Sequence, residues 1–446
     1  MQWNRAAFEA DFQWGISTAV YQIEGAYNAD GKGASIWDKF SQKKKILGGD
    51  HGNTACDFYN RYSEDILLLK QMHIPNYRFS ISWSRIFPMG TGNINQHGVD
   101  YYNRLIDCCL ARGIQPWVTL YHWDLPDALQ QKGGWTNREI INWFGFYVEF
   151  CIKQFGDCVT RWMILNEPMV FTGAGYFLGV HAPGKKGLNN FLSAAHHATL
   201  CQAEGARIIR SFHREALIGT TFSYSHIEPF RENDKDRAAA RKTDALLNRL
   251  FIEPLLGLGY PVEELKILQR LEKFHKDGDE SKMAFDMDFI GLQNYTRELV
   301  CYCPFMPFIK AKIIKAGRRN VERTQMDWEV YPPAIYHAIM RWNEYKNLKE
   351  IIVTENGTAF EDHCIQGEVN DLKRLNYLKD HIGQVFLAKQ AGARIKGYFV
   401  WTLLDNFEWA EGYYPKFGLV HVNFVNQQRI VKASGKWYAA FLNVKP

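Results

Sequence analysis

Short runs of β-branched and aromatic residues recur along the chain, with amphipathic stretches between them. The runs predict strands at 12–19 (FQWGISTA), 76–82 (NYRFSIS), 115–123 (QPWVTLYHW), 162–166 (WMILN), 217–225 (LIGTTFSYS), 289–295 (FIGLQNY), 351–356 (IIVTEN) and 397–406 (GYFVWTLLDN). In the intervening stretches apolar residues return every three or four positions. Ile141, Phe144, Val148, Cys151 and Phe155 do so, as do Leu375, Leu378, Ile382 and Phe386, and Tyr102, Leu105, Ile106 and Cys109. That period lines one face of a helix. Repeated alternation of strand and helix implies parallel strands, because parallel neighbours need long crossover connections. Eight such units predict a closed (β/α)8 TIM barrel rather than an open sheet. No Gly/Ser-rich linker interrupts the chain, so residues 1–446 read as one α/β domain. The segments 170–216 and 297–349 read as long loop insertions carrying extra helices.

Two of the runs end unexpectedly. In RWMILNEP (161–168) and EIIVTENG (350–357) an apolar core delivers a glutamate. In a parallel barrel the carboxyl ends of the strands meet at one face, where the loops build a site. Glu167, after the fourth strand, and Glu355, at the end of the seventh, then converge across the mouth. A lone strand-end glutamate is more often a salt-bridge partner than a catalyst, but this pair has company. Asn166 and Asn356 flank the glutamates, Gly15, Gln22 and Glu24 lie at the end of the first strand, His122-Trp123 ends the third, and NFEW (406–409) follows the eighth. Hydrogen-bonding groups beside aromatic faces suit a hydroxyl-rich ligand. Two facing carboxyls are the minimum for cleaving a glycosidic bond. One protonates the leaving oxygen; the other attacks the anomeric carbon across about 5–5.5 Å, or activates water across about 6.5–9.5 Å.

Composition narrows the partners. Aromatic residues make up 15% of the chain, including 14 Trp and 22 Tyr, which supports stacking on flat ligand faces. A net charge of +5 on 53 basic and 48 acidic residues is too weak for nucleic-acid binding. The basic clusters at 43–45 and 312–319 read as solvated loops. The nine cysteines are odd in number and lack CxxC or zinc spacing, so they read as free buried thiols in a reducing compartment. The N-terminus lacks an apolar signal core, and no apolar run reaches the roughly 18 residues of a membrane span. A cytoplasmic location and no membrane partner are expected. His196 and His197 face apart on a helix without a carboxylate at i+4 spacing, so no metal site is expected. Neither a P-loop nor a strand-linked GxGxxG is present, so no cofactor is expected.

Nine motifs then line up in order along the chain: FQWGISTAVYQIEGA, SIWDKF, RFSISWSRIFP, TLYHWDLP, ILNEP, IIVTENG, WTLLDNFEW, KFGLVHV and GKWY. Together they resemble glycoside hydrolase family 1, the β-glucosidase family of retaining enzymes. The resemblance implies a TIM barrel that hydrolyses terminal non-reducing β-D-glucosyl residues by double displacement. It assigns Glu355 as nucleophile and Glu167 as acid/base, with Arg78 and Tyr295 holding the nucleophile ionised. It assigns Gln22, His122 (with Trp123 beside it), Asn166, Glu408 and Trp409 to the hydroxyls of the terminal sugar. Trp401 matches the stacking floor, Phe417 a wall of the sugar pocket, and Trp328 an aromatic on the leaving-group side. Trp83, Arg85 and Asp405 read as support by packing and ion pairing. The acid must keep its proton near neutrality, and its pKa should fall once the charge on Glu355 is consumed by the sugar.

The chain departs from the pattern in a few places. The family often has Asn where Gln293 stands and Tyr or His where Asn294 stands, which touches the fine contact at the 2-hydroxyl or the nucleophile. Val20 is larger than usual. Myrosinases carry Gln at the acid/base position, so Glu167 suits O-glycosides. A 6-phosphate would be repelled by the retained Glu408, which favours unphosphorylated sugar. Glucose and galactose differ by the direction of one hydroxyl, so β-galactosidase, β-fucosidase and β-mannosidase stand as alternative main activities. A 6-phospho-β-glucosidase or a silent sugar-binding barrel ranks below them. The expected partner is a small β-glucoside or a cello-oligosaccharide, with loops 170–190, 297–330 and 410–416 shaping the leaving-group side. The sequence leaves the choice between monomer and homo-oligomer open.

Overall fold

The computed structural model describes residues 4–444. Eight strands form a closed parallel barrel: β1 (Gln13–Ser17), β2 (Asn76–Ser80), β3 (Gln115–Tyr121), β4 (Arg161–Asn166), β5 (Leu217–Ser223), β6 (Phe289–Gln293), β7 (Ile351–Asn356) and β8 (Ile395–Trp401). Each pairs with its neighbours in chain order, and β8 returns to β1. Each of the eight sequence-predicted strands overlaps one of them, six containing it whole, while the fourth and eighth predictions begin one and two residues late. The last prediction, 397–406, overran: residues beyond Trp401 leave the barrel and turn over its mouth.

The strands are apolar because both faces pack. Inside, Trp117, Met163, Phe289, Ile352 and Phe399 form one buried layer that plugs the barrel. Trp117 meets Phe399 edge-on, with ring centroids 5.0 Å apart. Gly15 of β1 makes room for this layer: a Cβ there would lie 2.3 Å from the Phe399 ring. Outside, the helix Ile140–Phe155 buries Phe144, Val148, Cys151 and Phe155 against the barrel. The helix Leu372–Gln390 does the same with Leu378 and Ile382. The final helix, Ala433–Asn443, reaches the first strand, where the Tyr438 hydroxyl donates to the Gly15 carbonyl at 3.0 Å.

Several expectations need correction. Segment 297–349 holds strands as well as a helix. Arg297–Tyr302 pairs with Ala311–Ile313 and with His226–Pro229 in a small separate sheet. Those partners come from two different insertions, so local periodicity does not reveal them. Segment 170–216 is mostly the crossover helix of the fourth unit, Leu188–Phe212. Within the basic cluster 312–319, Arg319 is not solvated: it pairs with Glu329 at 2.5 Å and is nearly buried. Of the cysteines, Cys56, Cys109, Cys151 and Cys201 are buried, four are partly buried, and Cys364 is exposed. Among the described residues no helix is long and apolar enough to cross a membrane, and no group of three or more His, Cys, Asp or Glu side chains could hold a metal.

Candidate active site

A cavity of about 300 Å³ opens at the carboxyl ends of the strands. Glu167 and Glu355 both line it. Strand geometry alone would not bring them there. On β7, Ile352 faces the barrel interior, so strict alternation would send Glu355 outward. The register slips between Val353 and Glu355, and this irregularity turns the carboxylate inward. On β4 the register slips between Met163 and Asn166, which turns the Asn166 amide inward. Such slips beside a site re-aim side chains. Glu167 follows in the left-handed region, at φ 45°, and its backbone N–H donates to Thr221 at 2.9 Å. Pro168 then starts a short helix, Pro168–Thr172. Trp123 and Trp409, also at the cavity, share the left-handed conformation at φ 79° and 49°. Backbones of this kind cluster where a site dictates the direction of a side chain.

Glu355 is held from three sides. Arg78 of β2 forms an ion pair with it, the Tyr295 hydroxyl donates to Oε2 at 2.7 Å, and Gln293 Nε2 donates to Oε1 at 2.7 Å. A second guanidinium nitrogen of Arg78 lies 2.5 Å from Asn166 Oδ1, and Nε lies 3.1 Å from the Thr119 hydroxyl. Gln293 Nε2 also donates to Asn166 Oδ1 at 2.7 Å. The position where the sequence departs from the resemblance therefore touches both the 166 amide and the 355 carboxylate. The remaining Asn166 amide group donates to His122 Nε2 at 3.0 Å. That bond makes Nε2 an acceptor and leaves the proton on Nδ1. Burial and the Arg78 charge hold His122 well below the usual histidine range, so the ring is neutral.

The two carboxyls are tuned apart. Burial pushes both upward. At Glu355 the Arg78 charge and the Tyr295 hydrogen bond oppose it. At Glu167 the Glu355 charge adds to burial and only Arg78 opposes it. The pair titrates jointly, with its proton on Glu167 and its charge on Glu355. Glu408 is pushed up to about 8, by burial first and then by the Glu355 charge.

The remaining predicted residues meet around the same cavity. Trp401, at the end of β8, and Trp409 each stack on His122, with centroids 6.1 and 5.9 Å apart. Trp123 packs on Trp409 at 4.5 Å and donates its indole N–H to the Asn166 carbonyl at 2.8 Å. Gln22 Nε2 donates to Glu408 at 3.1 Å. Trp328 and Phe417 lie beyond Tyr295, at 5.2 and 6.3 Å between centroids. The loops expected to shape the leaving-group side each contribute, through Val170, Met326 and Glu411 among others.

Besides Gly15, which lies mid-strand against the inner layer, two residues grouped with the ligand contacts belong to the scaffold instead. Glu24 bonds Arg85 at 3.0 Å and the Tyr102 hydroxyl at 2.7 Å, away from the cavity. The Asn356 amide straps β7 to both neighbours, donating to the Asn294 carbonyl at 2.7 Å and accepting from Tyr398 at 2.6 Å. Gly357 completes the TENG turn because the Trp401 carbonyl would lie 1.9 Å from a Cβ there. Asp405 anchors the segment before Glu408 through Lys432 at 2.6 Å. Sequence reasoning missed Glu298, which also lines the cavity; nothing in its local pattern marks it.

The sequence pattern of glycosyl hydrolase family 1 matches residues 4–446. The chain belongs to glycosyl hydrolase family 1. The chain is 44% identical over 440 residues to beta-glucosidase A of Thermotoga maritima, covering 98% of both chains. It is 43% identical over 441 residues to beta-glucosidase A of Acetivibrio thermocellus, again covering 98% of each. Among solved structures it resembles the Thermotoga maritima beta-glucosidase in complex with deoxynojirimycin, with TM-score 0.93, 43% identity and 98% coverage of each chain. Family 1 enzymes are retaining glycosidases, and this family 1 chain is a glycoside hydrolase on a TIM barrel.

Proposed function

We propose that the chain is a β-glucosidase that releases terminal non-reducing β-D-glucosyl residues, with Glu355 as nucleophile and Glu167 as acid/base. One observation carries this reading. Both carboxyls face one cavity, and only Glu355 is clamped by a cation, a phenol and an amide. The charged group attacks the anomeric carbon as the bond to the leaving oxygen breaks. Glu167 delivers its proton to that oxygen. A glycosyl ester on Glu355 results, and its negative charge is gone. The acidity of Glu167 then rises, which suits it to take a proton from the water that hydrolyses the ester. Two displacements at one carbon retain its configuration.

Sugar recognition rests on buried groups that lack protein partners. His122 Nδ1 and Gln22 Oε1 make no hydrogen bond, although both are buried. They supply one donor and one acceptor to neighbouring hydroxyls, since a buried polar group is costly unless satisfied. Asn166 keeps one amide hydrogen for the 2-hydroxyl, whose contact strengthens as positive charge develops at the ring. Glu408 accepts from the far end of the sugar, and Trp401 supports its face. The relatives named beta-glucosidase A support glucose as the sugar. We also read residues 1–446 as a single domain, which the contact between the last helix and β1 supports.

Hydrolysis of the 4-nitrophenyl β-glucoside, galactoside, fucoside and mannoside, with the product anomer followed by NMR, tests the reading. The glucoside is expected to give the highest kcat/KM and to release β-glucose first. Immediate release of α-glucose, or no turnover of the glucoside, would overturn it.

A further inference from the structure

The mouth of the cavity holds a carboxylate that the reaction does not use. Glu298 lies on Arg297–Tyr302, the strand that pairs in parallel with His226–Pro229, with Glu298 opposite Ile227. Its neighbour Arg297 turns the other way, to Glu329 and Glu228. Glu298 itself is half-buried at the cavity, and its carboxylate accepts no hydrogen bond among the described residues. Burial pushes its carboxyl up to about 7, with Arg319 opposing and Glu329 adding.

Its position separates it from the sugar readers. Gln22, His122, Asn166 and Glu408 follow or end β1, β3, β4 and β8. Glu298 comes from the excursion after β6, beside the end of β5. Ser223, at the end of β5, and Ser225, just beyond, line the same side of the mouth. Trp328 and Met326 face the same space from the loop before β7. The cavity thus has a polar wall of one carboxylate and two hydroxyls, together with a flat aromatic surface. Among the described residues no Lys or Arg lines it.

We infer that Glu298, with Ser223 and Ser225, forms the subsite for a sugar leaving group and determines preference for β-linked oligosaccharides over apolar glucosides. The inference rests on the β-glucosidase reading and specifies the other half of its substrate. A carboxylate stripped of water by a ligand needs donors in return. The adjacent hydroxyls of a second sugar supply two at the spacing of two carboxylate oxygens, while its C–H face rests on Trp328. A nitrophenyl group satisfies Trp328 but leaves Glu298 without a partner. An anionic leaving group meets a wall of its own sign.

The experiment compares kcat/KM for cellobiose and for 4-nitrophenyl β-glucoside in the full chain and in Glu298→Leu and Glu298→Gln. The ratio of cellobiose to nitrophenyl activity is expected to fall about tenfold in Glu298→Leu, as for loss of hydrogen bonds to a charged acceptor. A smaller fall, about threefold, is expected in Glu298→Gln, which keeps the shape and one acceptor. A ratio within twofold of the parent in both variants overturns the subsite. Should Glu298→Leu fail to fold, the Gln variant decides alone. Failure of the parent to cleave the nitrophenyl glucoside would instead overturn the β-glucosidase reading.

Discussion

Arg78 and Glu355 form an ion pair shut off from solvent, with side chains 0% and 4% exposed. The same guanidinium reaches Asn166. Removing it strands a charge in the barrel, which costs about 3–5 kcal/mol in comparable buried pairs. Arg78→Met is therefore expected to lower unfolding stability by that order near neutral pH. It also removes the main opposition to the upward push on Glu355. Glu355 must be ionised to attack, so the acid limb of the kcat/KM profile should move to higher pH. Denaturant unfolding and a pH–rate profile check both effects.

Glu167 needs its proton for the first step, so activity should fall as pH rises through its raised pKa. Glu167→Gln removes this basic limb. It should cost about 10²–10⁴-fold in kcat/KM on glucosides with poor leaving groups. The loss should be much smaller for a dinitrophenyl leaving group, which departs without a proton. Equal losses across a leaving-group series would place the acid elsewhere.

Glu408 bears on stability. Its pKa rises from an ordinary 4.5 to about 8 in the fold. The protonated form is thus favoured on folding; its contribution is fully present below about 4.5 and is lost as pH rises through about 8. Glu408→Gln has no proton to lose. Its stability relative to the parent should increase between pH 5 and pH 8, by at most about 1.4 kcal/mol per pH unit. Its kcat/KM should fall most as pH rises towards and above about 8, where the parent presents a carboxylate to the sugar and the variant only an amide. Thermal unfolding at the two pH values checks the sign.

Gly357 lies where the Trp401 carbonyl leaves no room for a side chain. Gly357→Ala must displace backbone at the ends of both β7 and β8. It should destabilise by about 1–3 kcal/mol, as overpacking does. It should also lower kcat, since Glu355 and Trp401 move with those strands. Unchanged kinetics would mean that the strand ends absorb the methyl without shifting the site.

Much of the barrel was legible because its strands are buried on both faces and stand out as apolar runs such as WMILN and IIVTEN. The candidate site was legible where residues close those runs: Asn166 and Glu167, Glu355, Trp401. What one strand does not show is register. The slips that turn Asn166 and Glu355 inward depend on where β5 and β6 pair, and no local pattern encodes them. Proximity to a strand end misled for Glu24 and Asn356, whose partners Arg85 and Tyr398 are distant in sequence. Glu298 escaped notice for the same reason as its strand: both are defined by pairing with another insertion.

The most direct test of the two-carboxylate account is trapping with a 2-deoxy-2-fluoro-β-glucoside carrying a dinitrophenyl leaving group. Fluorine at carbon 2 opposes the positive charge that develops at the ring and removes a hydroxyl contact, while the good leaving group lets the ester form and accumulate. Peptide mass spectrometry of the inactivated protein should find the fluoroglucosyl mass on Glu355 alone. A label on Glu167 or on any other side chain would contradict the account.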